Sequence, residues 1–370
     1  MVSGFVTLII FLFALGGMIL VHEFGHFIAA RWAGIEVEEF GIGLPSYKLA
    51  TLFTWQGTEF TIHALLLGGF IRPKGENDPN IPGGLAAANP WKRLVVLFAG
   101  PFMNLLTAIV VFSFLIASEG MAVPGSIKID AITDNSPAQQ AGMQAGDILL
   151  AINGENVGEI ASAIAVIQAN LDKPVELLIS RNDKQVTLTA TPLSSRKKSE
   201  GALGIGLTYP TRPATFIESI SGGTTITALQ AATIVYLPIA LIQGAIAPED
   251  ARFIGFKGIF DMFDVAVEED VSTRKGVTAT PTGASTPRPT NWTLNLIGVL
   301  SISLGVMNLF PIPALDGGRI LFTLPEIFFR KRIPAQWENM VNGIAMLLLI
   351  GLMVFVNVMD FVNPAHFPPP

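Results

Sequence analysis

The run His22-Glu23-Phe24-Gly25-His26 concentrates two imidazoles and a carboxylate within five residues. On a continuous helix, residues four apart lie one above the other, so both imidazoles share a face and can hold one zinc ion while Glu23 projects beside them. Zinc lowers the pKa of a bound water to about 7, and a neighbouring carboxylate can then take its proton as the hydroxide attacks a carbonyl. The expectation is that His22 and His26 bind metal and Glu23 acts as general base. The competing reading is a set of interfacial polar residues that mark the end of a membrane span. The apolar run before His22 weighs against it, because ionisable groups at the edge of hydrocarbon are costly without a partner or a function.

A catalytic zinc needs a third protein ligand and one open position. The chain contains 4 histidines and no cysteine, which excludes thiolate ligands, disulfides and a cysteine nucleophile. His63, in the β-patterned FTIHALLLGGF, reads as structural, and His366 lies in a Pro-rich tail. Asp316 is the stronger candidate. It follows a long uncharged stretch in Asn308-Leu309-Phe310-Pro311-Ile312-Pro313-Ala314-Leu315-Asp316-Gly317-Gly318. One Asp and one Glu carboxylate neutralise a divalent ion in a low-dielectric site. A loop aspartate that caps the segment beginning at Gly317 is the alternative.

The elements that must position these residues are membrane helices. Of 370 residues 50% are hydrophobic and 14% charged, and the mean hydropathy is +0.53, outside the range of ordinary soluble domains. Net charge is -6 with no basic run, so nucleic acid is not an expected partner. The start lacks the basic n-region and cleavage site of a secretory signal and reads as a retained span. Four uncharged stretches are long enough to cross a bilayer, which takes about 20 apolar residues: Gly4–Val21, Leu94–Ser118, Thr293–Leu315 and Asn339–Met359. Ser219–Pro248 is ambiguous, with Thr, Gly, Gln and Pro238, and could lie along the interface.

Depth decides between these readings. A helix from Phe5 to His22 rises about 25 Å, which places the histidines at the far leaflet. Asp316 reaches that leaflet only if an odd number of crossings separates the first span from the one that carries it. The expectation is therefore an α-helical polytopic membrane protein of about four transmembrane helices, with 219–248 interfacial. Basic residues cluster in the loop Arg31–Arg93 and after the third span, at Arg319 and Arg330–Arg332, so both loops are expected in the cytoplasm. This places the active site near the cytoplasmic leaflet and residues 122–193 outside.

Those residues change character, with Ser136-Pro137-Ala138, Ala141-Gly142-Met143, Gly146-Asp147-Ile148-Leu149 and two β-patterned runs. They form an inserted α+β module. The predicted organisation is a membrane domain over 1–121, this module over 122–193, an interfacial helix and linker over 194–292, and a second membrane part over 293–370. Val271–Trp292, rich in Thr, Pro and Gly, reads as a mobile linker.

The chain resembles the site-2 protease family, and specifically the bacterial metalloproteases of regulated intramembrane proteolysis that act on anti-sigma factors. The likeness rests on HEFGH at 22–26, Gly100-Pro101-Phe102-Met103-Asn104 and NLFPIPALDGGR at 308–319, three motifs in the family's order. It implies Zn2+ held by His22, His26 and Asp316, with Glu23 as catalytic base. It also implies a bacterial inner-membrane location, and a single-span membrane protein, for example an anti-sigma factor, as substrate. Leu67-Gly68-Gly69-Phe70 resembles the family's Gly-rich loop, which holds an unwound substrate segment by strand addition; a simple hairpin turn is the other reading. Asn104 and Asn308 are either helix–helix hydrogen-bonding residues or, by resemblance, contacts to substrate backbone or the oxyanion. The module at 122–193 resembles a PDZ domain, which implies docking or size filtering of substrates, against the reading of a spacer. A silent membrane scaffold is the rival from another class. A transporter would show repeated span pairs, which the sequence lacks.

Overall fold

In the computed structural model the described residues are 4–123, 125–195, 201–245, 254–274 and 291–363. The chain divides into two compact units: residues 1–114, 220–268 and 293–366, and residues 115–219, 269–292 and 367–370.

The first unit is helical. Its principal elements are α1 (Gly4–Trp32), α2 (Pro90–Glu119), α5 (Phe216–Ile242), α6 (Phe256–Arg274), α7 (Trp292–Leu309), α8 (Asp316–Phe329) and α9 (Ala335–Val362). Among the described residues, α1, α2, α5, α7 and α9 are long and apolar enough to cross a membrane, and the chain is a multi-pass membrane protein. Large apolar side chains such as Phe13, Phe114, Leu347 and Phe355 are exposed, as the lipid-facing surface of a membrane helix requires. Ser219–Pro248, expected along the interface, is mostly the continuous helix α5, so five such helices stand where four spans were expected. Part of the expected linker, Val271–Arg274, belongs to α6, and residues 275–290 lie outside the described residues.

Lipid offers no hydrophobic drive between helices, so they associate through close packing and polar contacts. Gly298, Ser301 and Gly305 of α7 provide both. A Cβ on Gly298 would meet the Phe112 ring, and one on Gly305 would lie 3.0 Å from the Pro101 carbonyl of α2. Ser301 Oγ donates to the Asn104 carbonyl at 2.8 Å. In α6, Phe263 is fully buried and meets the Phe11 ring edge-on at 5.6 Å, and Asp264 accepts from Thr7. At the start of α6, Asp360 near the end of α9 accepts from the amides of Gly255 and Gly258.

Between α1 and α2 the chain forms a four-stranded sheet from β1 (Val37–Ile42), β2 (Lys48–Trp55), β3 (Thr58–His63) and β4 (Gly69–Pro73), in the order β2-β3-β1-β4. β1 runs parallel to β3, and the other pairs are antiparallel. The two-residue turn from β2 to β3 has positive φ at Gln56 and Gly57, the geometry that suits a tight hairpin. Glu39 of β1 accepts from Thr61 at 2.7 Å, lies 3.1 Å from His63 Nε2 and pairs with Arg72 of β4 at 2.9 Å. Burial opposes its ionisation, but these partners prevail and hold its carboxyl below the usual range. His63 is thus structural, as expected.

The second unit is α+β. It contains β5 (Met121–Ala122), β6 (Ile127–Ile132), α3 (Pro137–Gln140), β7 (Ile148–Ile152), β8 (Glu155–Asn156), α4 (Ile160–Ala169), β9 (Val175–Arg181), β10 (Lys184–Ala190), β11 (Ile205–Thr208) and β12 (Thr211–Arg212). The six-stranded sheet follows the order β10-β9-β7-β6-β11, with β8 on β7. Val175, Leu177 and Ile179 alternate inward from β9 and meet Ile160, Ala163 and Ile167 of α4, the periods of a strand and a helix that share one core. The module extends past its expected end at 193. β11 pairs with β6, and the polar run Ser195–Glu200 had hidden that continuation.

Asp147, almost fully buried, receives Arg181 through Nε at 2.7 Å and Nη2 at 2.6 Å, and the Gln144 amide at 2.8 Å. Burial raises its pKa, and the Arg181 hydrogen bonds outweigh that and hold it low. A depressed carboxyl stabilises the fold above the unfolded value of about 3.9 and loses that contribution as pH falls through the folded pKa. Asp147→Ala should therefore cost about 2 kcal/mol at pH 7, read by hydrogen exchange across β7, and the cost should shrink below about pH 4.

Candidate metal centre

α1 continues unbroken through the His/Glu motif, so His22 and His26 sit one turn apart on its buried face. Their Nε2 atoms are 3.1 Å apart. Asp316 Oδ2 lies 3.1 Å from His22 Nε2 and 3.3 Å from His26 Nε2. Among the described residues this is the one cluster of three or more His or carboxylate groups able to hold a metal. Zinc–ligand bonds of about 2.0–2.2 Å in a tetrahedron set neighbouring ligand atoms roughly 3.3–3.6 Å apart, close to the observed triangle. The donor set and its dimensions fit zinc, with the fourth vertex left for water or substrate.

The other nitrogen of each ring has a partner. His26 Nδ1 lies 2.7 Å from the Val96 carbonyl of α2, which directs the ring proton to Nδ1 and leaves Nε2 free. His22 Nδ1 lies 3.1 Å from the Asn104 amide. Among the described residues the Asn104 oxygen has no hydrogen-bond partner. With Nε2 of His22 committed to a cation, Nδ1 carries the proton, and an amide turned to present its oxygen satisfies both groups.

Both contacts require α2 to press close against α1. A Cβ on Gly25 would collide with the Ala99 carbonyl, and one on Gly100 would enter the His26 ring. Asp316 depends on a similarly crowded turn. Cβ atoms on Gly317 or Gly318 would strike the carbonyls of Leu309, Phe310 and Ile312. Ala314 adopts φ 74°, a conformation costly for a residue with a Cβ, and its amide donates to Asn342 of α9 at 3.0 Å. Asp316 therefore begins α8, where a carboxylate also suits the helix dipole.

Glu23 is half-buried, in electrostatic contact with both imidazoles and Asp316, and its carboxylate faces the Ile71 backbone N–H. Ile71 belongs to β4, the sheet edge packed against α1. A Cβ on Gly68 would meet Ile19 at 2.9 Å, and one on Gly69 would meet Leu20 at 2.6 Å, so the glycines let this strand approach the helix one turn before the histidines. Phe70 packs its ring over Gly41 and against His63.

The structure thus brings together His22, His26, Asp316 and Glu23 and places Gly68, Gly69 and Phe70 alongside. Asn104 is fully buried, and its amide lies against Nδ1 of His22. Asn308 donates to the Leu304 carbonyl within α7. His366 lies outside the described residues. Sequence reasoning missed the Val96 carbonyl and the steric roles of Gly25 and Gly100. The GPFMN motif that contains Gly100 and Asn104 was the available signal, but its meaning depends on which face of α2 meets α1.

Over residues 10–352 the sequence matches the family described as Peptidase family M50. A protein of Clostridium perfringens, provisionally named a zinc metalloprotease, is 34% identical over 361 residues, covering 95% of this chain and 98% of its own. A similarly named protein of Clostridium acetobutylicum is 32% identical over 366 residues, covering 98% of this chain and 100% of its own. Among solved structures, the PDZ domain of an SdrC-like protein from Listeria monocytogenes aligns with 24% of this chain and 92% of its own, at 20% identity and a TM-score of 0.21.

Gly100→Ala should displace the His26 ring and lower bound zinc by at least about tenfold. Metal analysis of the purified protein checks this, with membrane accumulation near wild type.

Proposed function

The chain belongs to peptidase family M50 and is a metalloprotease of the site-2 type; from that premise we propose that it cleaves peptide bonds within the transmembrane segment of single-span membrane proteins. The observation that carries the reading is the triangle of His22, His26 and Asp316 with Glu23 beside it, set along helices with lipid-facing surfaces. Bound zinc would supply a water acidified to a pKa of about 7 and an electrophile for the scissile carbonyl. Glu23 would take a proton from the attacking water and deliver it to the departing amine. His22 and His26 are oriented through Asn104 and the Val96 carbonyl.

A peptide bond inside a helix is shielded, so the substrate must unwind. β4 offers a place to hold it. Gly68 O accepts from the Gly43 amide, so in an antiparallel ladder the alternate residues Gly69 and Ile71 turn their amides away from β1, toward α1 and Glu23. An extended substrate segment paired along this edge would bring its carbonyls to the metal and Glu23. Asn308, by resemblance, would serve the substrate backbone or the oxyanion after leaving its bond within α7.

Contacts within the helical unit favour four crossings. α6 packs on the N-terminal half of α1 at Thr7 and Phe11, and its start meets the C-terminal end of α9. α5 begins beside Ser113 near the end of α2. If α1 and α7 run inward and α2 and α9 outward, all of these contacts lie on the outer side. A crossing by α5 would then require residues 243–255 to return across about 30 Å of hydrocarbon, farther than so short a segment reaches as a helix at about 1.5 Å per residue, and lipid penalises backbone that is not paired within a helix. In this topology α5 stays with the outer leaflet, the metal lies near the cytoplasmic leaflet of a bacterial inner membrane, and the PDZ-like module is extracytoplasmic. There it would dock or filter substrates by adding their chain ends to an edge strand. An anti-sigma factor is the substrate class that the family resemblance implies.

Glu23→Gln should retain zinc and accumulate in the membrane, yet lower cleavage of a co-expressed single-span reporter by at least about 100-fold. Mass spectrometry of the products reads this out, and undiminished cleavage by the variant would sink the mechanism.

A further inference from the structure

Asp316 is separated from the two histidines by nearly three hundred residues, and its carboxylate must come to rest within a few tenths of an ångström of one position. The turn before it limits the backbone. It does not by itself orient α8 about its own axis. Arg319 lies three residues on, and positions i and i+3 of a helix project from neighbouring faces. Its Nη1 donates to Glu76 Oε1 at 2.5 Å. Glu76 stands three residues beyond the end of β4, the strand whose Ile71 amide faces Glu23. α8 therefore meets the N-terminal half of the chain through Asp316 at the histidines and, one turn on, through Arg319 at the segment that follows the edge strand.

We propose that the Arg319–Glu76 ion pair is a positioning device that sets the third metal ligand, so that the orientation of Asp316 is tied to the strand expected to receive substrate. This rests on the metalloprotease reading. The two side chains are 29% and 31% exposed, and a pair so accessible to water contributes little to stability. Its effect is on geometry. The pair also lies in a polar cluster with Arg93, Glu326 and Arg332. Arg93 pairs with Glu326 farther along α8, and Arg332 donates to the Ala86 carbonyl beyond its end. Arg319 is the member of that cluster one turn from the ligand. Changes at Glu76 or Arg319 should therefore register at the metal in a way that ordinary loss of a surface ion pair would not.

The test uses the full chain in nanodiscs, with zinc removed and Co2+ added as a spectroscopic probe. Glu76→Gln and Arg319→Gln should each weaken cobalt binding about tenfold, the scale of losing an outer partner of a metal ligand, and alter its visible absorption bands. Both should lower kcat for reporter cleavage more than they raise KM. The exchanged pair Glu76→Arg with Arg319→Glu should recover affinity to within about threefold of wild type, since the attraction is restored with its sign reversed along the same line. Single variants that bind cobalt like wild type with unchanged bands overturn the proposal. So does an exchanged pair no better than either single variant. A wild-type protein that takes up no cobalt overturns the metalloprotease reading itself, and this proposal with it.

Discussion

Three electron-rich atoms held 3.1–3.3 Å apart in a largely buried place are the constraint around which the helical unit is organised. Without a shared cation or proton their lone pairs repel, and the low dielectric that surrounds them magnifies that repulsion. Nothing local can satisfy it. α1 supplies two donors because a helix repeats every 3.6 residues, but the third must come from near the other end of the chain. The close approach of α1, α2 and α7 and the strained turn at Ala314 all serve to deliver one carboxylate oxygen.

Glycine does much of this work because in lipid the helices gain no stability from burying apolar surface against one another. Gly25 and Gly100 let α2 come near enough for the Val96 carbonyl and the Asn104 amide to reach the far sides of the two rings. Gly298 and Gly305 bring α7 onto the same helix, and the Ser301 hydroxyl ties the two backbones together. α2 is thus the shared partner of both halves of the metal site, although it contributes no metal ligand. Its Pro101, which removes one backbone donor, lies next to this contact, and its carbonyl faces Gly305.

On the proposed function, the four-stranded sheet answers a different need. A protease working on helical segments needs a partner for backbone that has been unwound in lipid, where unpaired amides are expensive. An edge strand offers such a partner only if it is held rigidly and close to the catalytic groups. β4 meets both conditions through the Glu39 cluster, which fixes it to β1 and β3, and through the glycine contacts with Ile19 and Leu20. The second unit follows the rules of a water-soluble domain. Its inward-facing residues alternate along β6 and β9, and a buried carboxylate is held by a partly exposed arginine, so two solvents are written into one chain.

What the sequence determined by itself is local or countable. Spacing of four placed His22 and His26 on one face, run length marked the membrane helices, and the shortage of histidines and absence of cysteine left few choices for a third ligand. Charge balance and its place after an uncharged run pointed to Asp316, and the depth it must reach then set the expected number of crossings. The tertiary structure decided everything that depends on which faces meet. It put the Asn104 amide against His22 where the sequence left it among possible substrate contacts, gave Gly100 its purpose against His26, joined β11 to a sheet across a polar interruption, and paired Arg319 with Glu76 over more than two hundred residues. Periodicity along a chain reports how one element presents its side chains. The contact between two elements depends on rotation and approach distance, which are set by all of their neighbours at once and leave no regular mark in either segment alone.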